Sequence, residues 1–404
     1  MDTPAADLPA AHADWSPSEE NFEGGVRTPE FIGEVGRLRS ECPVAHSDLF
    51  GGFYSLTRYA DVARAALDFR TYPSRQQFAR IPALTGIVPG SLNPPEHGLY
   101  RKMMRTYFSP DRMAALSPML RQYAVEHLAP MIERGHGDVA RELCQPFPAR
   151  ALSALLNLGD QAHVELQEQV KQFEAVDWDP DQVNAIIFTI FSQHIARVMA
   201  ERRAAGTVDP DSDLISGAMS MQVDGEPLTD EAIISIGVSV IGAGHATTAD
   251  ALSTSIYRLA TDPYLQARLR REPDLIPQAI EEFLRLDAPL PEMSRDAAVD
   301  IELHGTTIPA GSLVALNFGS ANLDPEVFEH PEACIIDRSP NRHLSFGHGA
   351  HQCAGAPMAR IELVVAIEEL LARTTGFELD GAAQRAPGLL LNGFSSVPLR
   401  LTPR

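Results

Sequence analysis

The residues best suited to chemistry crowd into one run, Phe346-Gly347-His348-Gly349-Ala350-His351-Gln352-Cys353-Ala354-Gly355, directly ahead of an Ala-, Ile- and Leu-rich stretch with helical spacing. Glycines let a backbone turn tightly and approach a flat ligand closely. The N–H groups and positive dipole end of the following helix favour a thiolate at Cys353, and a thiolate so placed can bind iron. Three other readings compete. Zinc held by His348, His351 and Cys353 lacks the second cysteine pair or helical histidine pair that such sites use. A dinucleotide loop needs GxGxxG after a strand, and this run has neither. An inert buried cysteine fits the loop taken alone.

Such a loop needs elements to hold it. Between residues 97 and 206, apolar side chains recur at three- and four-residue spacing (Leu116, Met119, Leu120, Tyr123 and Leu128, then Val183, Ile186, Ile187, Ile190 and Ile195), which predicts helices in series. The longest helix is predicted over Thr229–Thr261, capped by Thr229 and ended by Asp262-Pro263, a rod of about 50 Å that must cross the molecule. Before these come a small strand pair including Phe53–Leu56 and a helix over Tyr59–Leu67. Tyr72–Pro95 follows, with five prolines and no sustained period, and reads as a substrate lid. After Asp287 the chain turns to short β pieces (Val299–Leu303, Thr306–Ile308, Leu313–Leu316), an irregular stretch to Phe346, a helix over Ala356–Leu371 and a strand-rich tail. The predicted fold class is mainly α with small peripheral β-sheets.

Composition narrows the function. The 404 residues carry a net charge of −21, which argues against nucleic acid as a partner. Four scattered cysteines (Cys42, Cys144, Cys334 and Cys353) make no disulfide framework and point to a reducing compartment. Met1–Pro17 has no apolar core, so neither a signal peptide nor a membrane anchor is expected, and the expected location is cytoplasmic.

The cysteine loop has company. Phe346, Gly347, Gly349, His351, Cys353 and Gly355 resemble the haem-binding signature of the cytochrome P-450 family of haem-thiolate monooxygenases. Glu282-Phe283-Leu284-Arg285 resembles that family's ExxR helix, its charges one turn apart on one face. Ala243-Gly244-His245-Ala246-Thr247-Thr248 and Pro94-Pro95-Glu96-His97 with Arg101 match in the family's order, so the resemblance spans about residues 94–355. It implies the cytochrome P-450 fold, one haem-thiolate monooxygenase domain over 1–404 with a mobile arm over 1–20, and haem b (iron protoporphyrin IX) as cofactor. Cys353 would be the axial iron ligand, pushing electron density onto the metal. His97, Arg101, Arg295 and His343 would hold the haem propionates, with Ala243, Phe346, His351 and Gly355 also about the haem. Glu282, Arg285 and Arg338 would form the ion network under the loop.

One position departs from the family pattern. An acidic residue is usual before the threonine matching Thr247, where the threonine hydrogen-bonds dioxygen and the acid relays protons; here that position is Ala246. His245 or Asp250 acting through water, a polar group on the substrate, a naturally inefficient enzyme, and a chain altered from acid to alanine all remain open. The matched catalytic group is Thr247, Thr248, His245 and Ala246. On the substrate side the resemblance implies Ser239, Gly242, Leu290, Pro291, Glu292 and Met293, under a lid carrying Phe78, Ile81, Leu84, Ile87 and Val88. Arg75, Arg80 and Glu292 are expected to face solvent rather than anchor a polar group. The expected reaction is insertion of one oxygen atom from O2 into a small, mostly apolar substrate by hydroxylation, epoxidation or O-dealkylation; a peroxide-driven or atypical haem enzyme is the alternative. With no flavin or nicotinamide domain after Arg404, electrons are expected from a ferredoxin and its reductase, docking near Arg360, Arg105 and Arg112.

Overall fold

The computed structural model describes residues 29–79, 86–159, 162–165, 189, 191–223, 225–386 and 391–404. The expected arm over 1–20, the lid residues Arg80, Ile81 and Leu84, and the helical spacing at 183–190 lie outside the described residues. Helices dominate the rest: α1 (Pro29–Glu41), α2 (Tyr59–Leu67), α3 (Glu96–Tyr107), α4 (Pro110–Arg134), α5 (Pro146–Leu155), α6 (Ser192–Ala205), α7 (Leu214–Ser220), α8 (Asp230–Thr261), α9 (Pro263–Arg271), α10 (Ile276–Leu286) and α11 (Ala356–Arg373).

The long rod forms as its caps predict. The Thr229 side chain accepts from the Ala232 N–H at 3.2 Å, and Asp262 closes the end while its carboxylate caps α9. α8 is apolar and long enough to cross a membrane, yet it is the core helix of this fold, packed by α5, α6, α7, α10 and α11. Ile233, Ile236, Ile241, Leu252, Ile256 and Leu259 are all buried along it, each contributing roughly 1.5–3 kcal/mol through the apolar surface it removes from water. Small residues let neighbours approach closely: a Cβ on Gly244 would stand 2.9 Å from Leu152 of α5, and one on Gly237 the same distance from Ile195 of α6. A π-helical segment, Ala140–Cys144, joins this core beside α5.

The sheets are small and peripheral. β1 (Val44–Ser47) pairs antiparallel with β2 (Phe53–Leu56), and β2 runs parallel to β9 (Leu313–Asn317), closing a loop of more than two hundred residues. On its other edge β9 pairs antiparallel with β6 (Glu292–Asp296), placing Arg295 opposite Val314. β7 (Ile301–Leu303) and β8 (Thr306–Ile308) make a separate hairpin, later in the chain than the predicted start at Val299. At the chain's end, β10 (Thr374–Leu379) and β13 (Pro398–Pro403) pair beside β3 (His136–Asp138), β11 (Gln384–Arg385) and β12 (Phe394–Ser396) form a two-stranded hairpin, and mid-chain β4 (Gln222–Val223) pairs with β5 (Glu226–Pro227).

Two segments take a form that local spacing does not show. The first part of the 72–95 run is ordered by backbone pairing, with Ser294 N–H donating to Gln77 O at 2.7 Å, Asp296 N–H to Pro73 O at 2.9 Å and Ala298 N–H to Thr71 O at 2.9 Å. The supposed substrate-contacting turn becomes strand β6 from Glu292 onward. Both follow from pairing with distant partners, a cause that local spacing does not carry.

Candidate functional site

The cysteine loop is built by its glycines and its own hydrogen bonds. Gly347 and Gly349 adopt φ of 69° and 73°, and a Cβ on Gly349 would lie 2.7 Å from the Ala66 carbonyl oxygen of α2. The Cys353 N–H donates to Phe346 O at 2.7 Å, and the Gly347 N–H to Leu344 O at 2.8 Å. The side chain of Cys353 is exposed by surface, yet burial raises its thiol pKa against the pull of the Gly355 and Ala356 N–H groups, Arg101 and Arg360. Both observations hold for a group that opens onto an enclosed space. The helix start therefore does not by itself yield a thiolate, since desolvation outweighs it; a metal would, because a coordinating thiol is deprotonated outright.

Beneath the loop lies the charge network its motif predicts. Glu282 and Arg285 are fully buried and joined by two bonds of 2.7 and 2.8 Å. Arg338 Nε reaches both Glu282 oxygens at 3.1 Å, and Asn341 Nδ2 and the Ile335 N–H add two more donors. Arg285 in turn donates to the carbonyls of Asn322, Pro331 and Ala333. Arg338, Asn341 and the Ile335 N–H, all from the irregular stretch, thus converge on one carboxylate, which helps to hold still a segment without regular structure. Asn322 and Ser345 extend it: Leu344 N–H donates to Asn322 Oδ1 at 2.7 Å, and Ser345 Oγ donates to Leu284 O at 2.7 Å.

His97, Arg101, Arg295 and His351 gather beside Cys353. The two imidazoles lie 4.1 Å apart, and Arg101 donates to the Gln352 carbonyl. Burial, then Arg101 and Arg295, bring His97 down to about 4; burial, then Arg295, His97 and Arg101, bring His351 down to about 3. Burial also lowers Arg295 to about 10, and His351 Nε2 is buried with no partner. Among the described residues neither Arg101 nor Arg295 makes an ion pair; each donates to a backbone carbonyl, Arg295 to that of Ser294 at 2.7 Å. Four basic groups assembled with an unpartnered ring nitrogen, and with no ion pair on either arginine among the described residues, fit a ligand that brings carboxylates of its own.

His343, expected in that group, sits elsewhere. Its Nε2 bonds Glu281 Oε2 at 3.0 Å and its Nδ1 accepts from the Ser345 N–H at 3.2 Å, so neither ring nitrogen is left for a propionate. Arg360 is likewise committed: Nε and Nη2 hold the two Glu281 oxygens at 2.7 and 2.8 Å, and its guanidinium lies 4.4 Å over the Phe346 ring. Burial would raise the Glu281 pKa, but these two partners bring it down to about 2. Glu281 carries no motif signal beyond adjacency to Glu282, so only the fold reveals its part. Of the other docking arginines, Arg112 donates to Asp211 O and lies 4.8 Å over Tyr107, which leaves Arg105 exposed with its neighbour Lys102.

On α8 the helical period separates the matched residues. Gly242 and Ala243 are exposed at the middle of a helix whose other exposed residues lie at its two ends, and a Cβ on Gly242 would meet nothing within 4 Å. Thr247, one turn on from Ala243, donates its hydroxyl hydrogen to Ala243 O at 2.5 Å and keeps its lone pairs as acceptors. Ser239 and Ala246 are part-exposed. Thr248 is buried, and His245 turns away to meet the Gln145 carbonyl at 2.9 Å, so neither shares the Ala243–Thr247 face. His245 therefore does not stand in for the missing acid, and burial holds it neutral.

Leu290 stays part-exposed, whereas Pro291 is buried against Gly319 and Met293 packs on the core formed by Val44, Leu56 and Val314. Glu292 is buried and Arg75 exposed, which reverses the expectation for the former and matches it for the latter. Val88 N–H donates to Ser235 Oγ at 2.9 Å, tying the run after Gly86 to α8. Phe78 is part-exposed and Ile87 buried.

The family profile described as Cytochrome P450 matches residues 141–392. The chain belongs to the cytochrome P450 family. It is 31% identical over 384 residues to a vitamin D(3) 25-hydroxylase of Pseudonocardia autotrophica, covering 91% of this chain and 93% of that one. It is 30% identical over 387 residues to a mycinamicin IV hydroxylase/epoxidase of Micromonospora griseorubida, covering 91% and 94%. The crystal structure of CYP108D1 from Novosphingobium aromaticivorans superposes with a TM-score of 0.82 at 28% identity, covering 93% and 95%. The mainly α fold with small sheets is that of this P450 family, and the chain is an oxygen-incorporating monooxygenase of the bacterial type with a haem iron cofactor.

Proposed function

We propose that this P450 binds haem b through the Cys353 thiolate and inserts one oxygen atom from O2 into a small, mostly apolar molecule. One observation carries the reading: a cysteine that opens onto an enclosed space stands beside four basic groups whose two arginines make no ion pair among the described residues, while α8 turns Gly242 and Ala243 to open space at its centre. When bound, the haem iron supplies the activation of dioxygen. Every other part of the chemistry falls to side chains and backbone of this chain.

Cys353 Sγ would hold the iron, with the Gly355 and Ala356 N–H groups stabilising its negative charge. His97, Arg101, Arg295 and His351 would receive the two propionates, which raise the pKa of both histidines and give the orphaned His351 Nε2 a partner. Glu282, Arg285 and Arg338 would keep the loop in register and touch no substrate. Gly242, Ala243 and Ser239 would leave room above the ring, with Leu290 and Phe78 as apolar walls. Thr247 would exchange its bond to Ala243 O for one to dioxygen or water. Ala246 carries no proton and His245 is committed to Gln145, so protons would arrive through water or from a substrate hydroxyl. Ferredoxin and its reductase would supply electrons in the cytoplasm, with 1–404 acting as one haem domain.

Ala246 also supports a second reading, in which peroxide supplies both oxygen and protons. Trials with vitamin D(3) and mycinamicin IV, chosen because curated relatives include a vitamin D(3) 25-hydroxylase and a mycinamicin IV hydroxylase/epoxidase, separate the two. Product carrying one labelled oxygen from 18O2 under a ferredoxin system supports the first reading. Turnover with hydrogen peroxide but not with the ferredoxin system replaces it with the second.

A further inference from the structure

Residues 391–394, which no motif marks, run between α8 and the turn after α10. The Phe394 N–H donates to Ser253 Oγ of α8 at 3.0 Å. The Asn392 N–H donates to Pro289 O at 2.9 Å, one residue before Leu290, and Asn392 Oδ1 accepts from Arg385 Nη1 at 3.1 Å. Phe394 is sandwiched between the Arg385 guanidinium at 4.1 Å and the Tyr257 ring at 4.4 Å. Between Asn392 and Phe394 stands Gly393, and there the backbone meets α8 directly. A Cβ on Gly393 would overlap the Asp250 carboxyl and stand 2.6 Å from the Asp250 Cβ, so the obstacle is not the far end of a flexible side chain. Asp250 follows Ala243 and Thr247 along one helix face, about one turn past Thr247.

We propose that Asp250 and Gly393 form a clasp fixing segment 391–394 between α8 and the Leu290 turn, which makes Asp250 a positioning residue for the width of the substrate pocket. The inference rests on the haem-thiolate reading above. Asp250 thereby has a task other than proton relay: it sets how far segment 391–394 and the Leu290 turn bonded to it stand from Thr247, and so which part of a substrate meets the reacting centre. Only glycine at 393 permits the approach.

The test uses the holoenzyme and two azole probes of different length, imidazole and the longer 4-phenylimidazole. Titration by the Soret shift gives the ratio of the two Kd values for wild type, Gly393→Ala, Asp250→Ala and the double variant. The clasp predicts that Gly393→Ala changes the ratio by about tenfold in the wild-type background and by less than about twofold when Asp250 is already alanine, since the two sites are in contact and couple. The isosteric Asp250→Asn should retain the wild-type ratio. Should Gly393→Ala alone not accumulate folded protein, recovery of folded holoenzyme in the double variant supports the clasp and non-recovery overturns it. An unchanged ratio in Gly393→Ala, or an equal change in both backgrounds, overturns the clasp alone. A wild-type protein with no thiolate-haem spectrum overturns it together with the reading it rests on.

Discussion

Cys353 shows how a motif and its physics divide the work. The glycine-rich loop and the helix that follows were legible as a ligand cradle, because positive-φ glycines and a helix start are properties of contiguous sequence. That the free thiol is held up by burial was not legible, since the neighbours that desolvate it come from distant parts of the chain. The same split explains the imidazoles: His97 and His351 meet as the motifs imply, while His343 is drawn off by Glu281. That pair gives a pH prediction. The folded Glu281 carboxyl, at about 2 against an ordinary 4.5, favours folding fully above pH 4.5, and that stability is lost as pH falls toward 2. Urea titrations of wild type and Glu281→Gln should differ by about 2 kcal/mol near neutral pH and converge in acid; a gap that widens in acid contradicts the pairing. At the distal face, Ala246→Glu should raise product formed per reductant consumed by several-fold, and an unchanged ratio would show that proton delivery does not pass this position.

At the scale of elements, α8 was legible almost to the residue because its cap, its terminator and its apolar run are local signals. Strand β6 was not, because Glu292–Asp296 is polar and becomes a strand only through β9 and the 71–77 run. Energetics follow the same line. Leu252→Ala removes a fully buried side chain from α8 and should cost about 2–5 kcal/mol in a denaturant titration, while Thr229→Ala, at the cap, should cost about 1 kcal/mol. Equal costs would mean that the helix is held by its ends rather than by its packing. The irregular stretch before the cysteine loop depends on one carboxylate, so Glu282→Gln, which leaves Arg285 buried without its charge partner, should cost about 3–5 kcal/mol. Haem retention on a desalting column should fall with it.

The whole molecule carries a charge of −21, yet its loop face presents Lys102 and Arg105 to solvent. A small acidic electron carrier would be steered there, so reduction should slow as salt rises, and Arg105→Glu should slow it further. Arg360→Glu should instead disturb haem binding, because Arg360 is tied to Glu281 inside the fold. A salt-independent rate would place the docking surface elsewhere. All of this depends on one bond. The measurement that tests it most directly is the absorption spectrum of the purified protein, reduced under carbon monoxide, beside that of Cys353→Ala. A far-red-shifted Soret band in the wild type, absent from the variant, is the predicted result. An unshifted band, or one that survives the substitution, would contradict ligation by Cys353 and the function built on it.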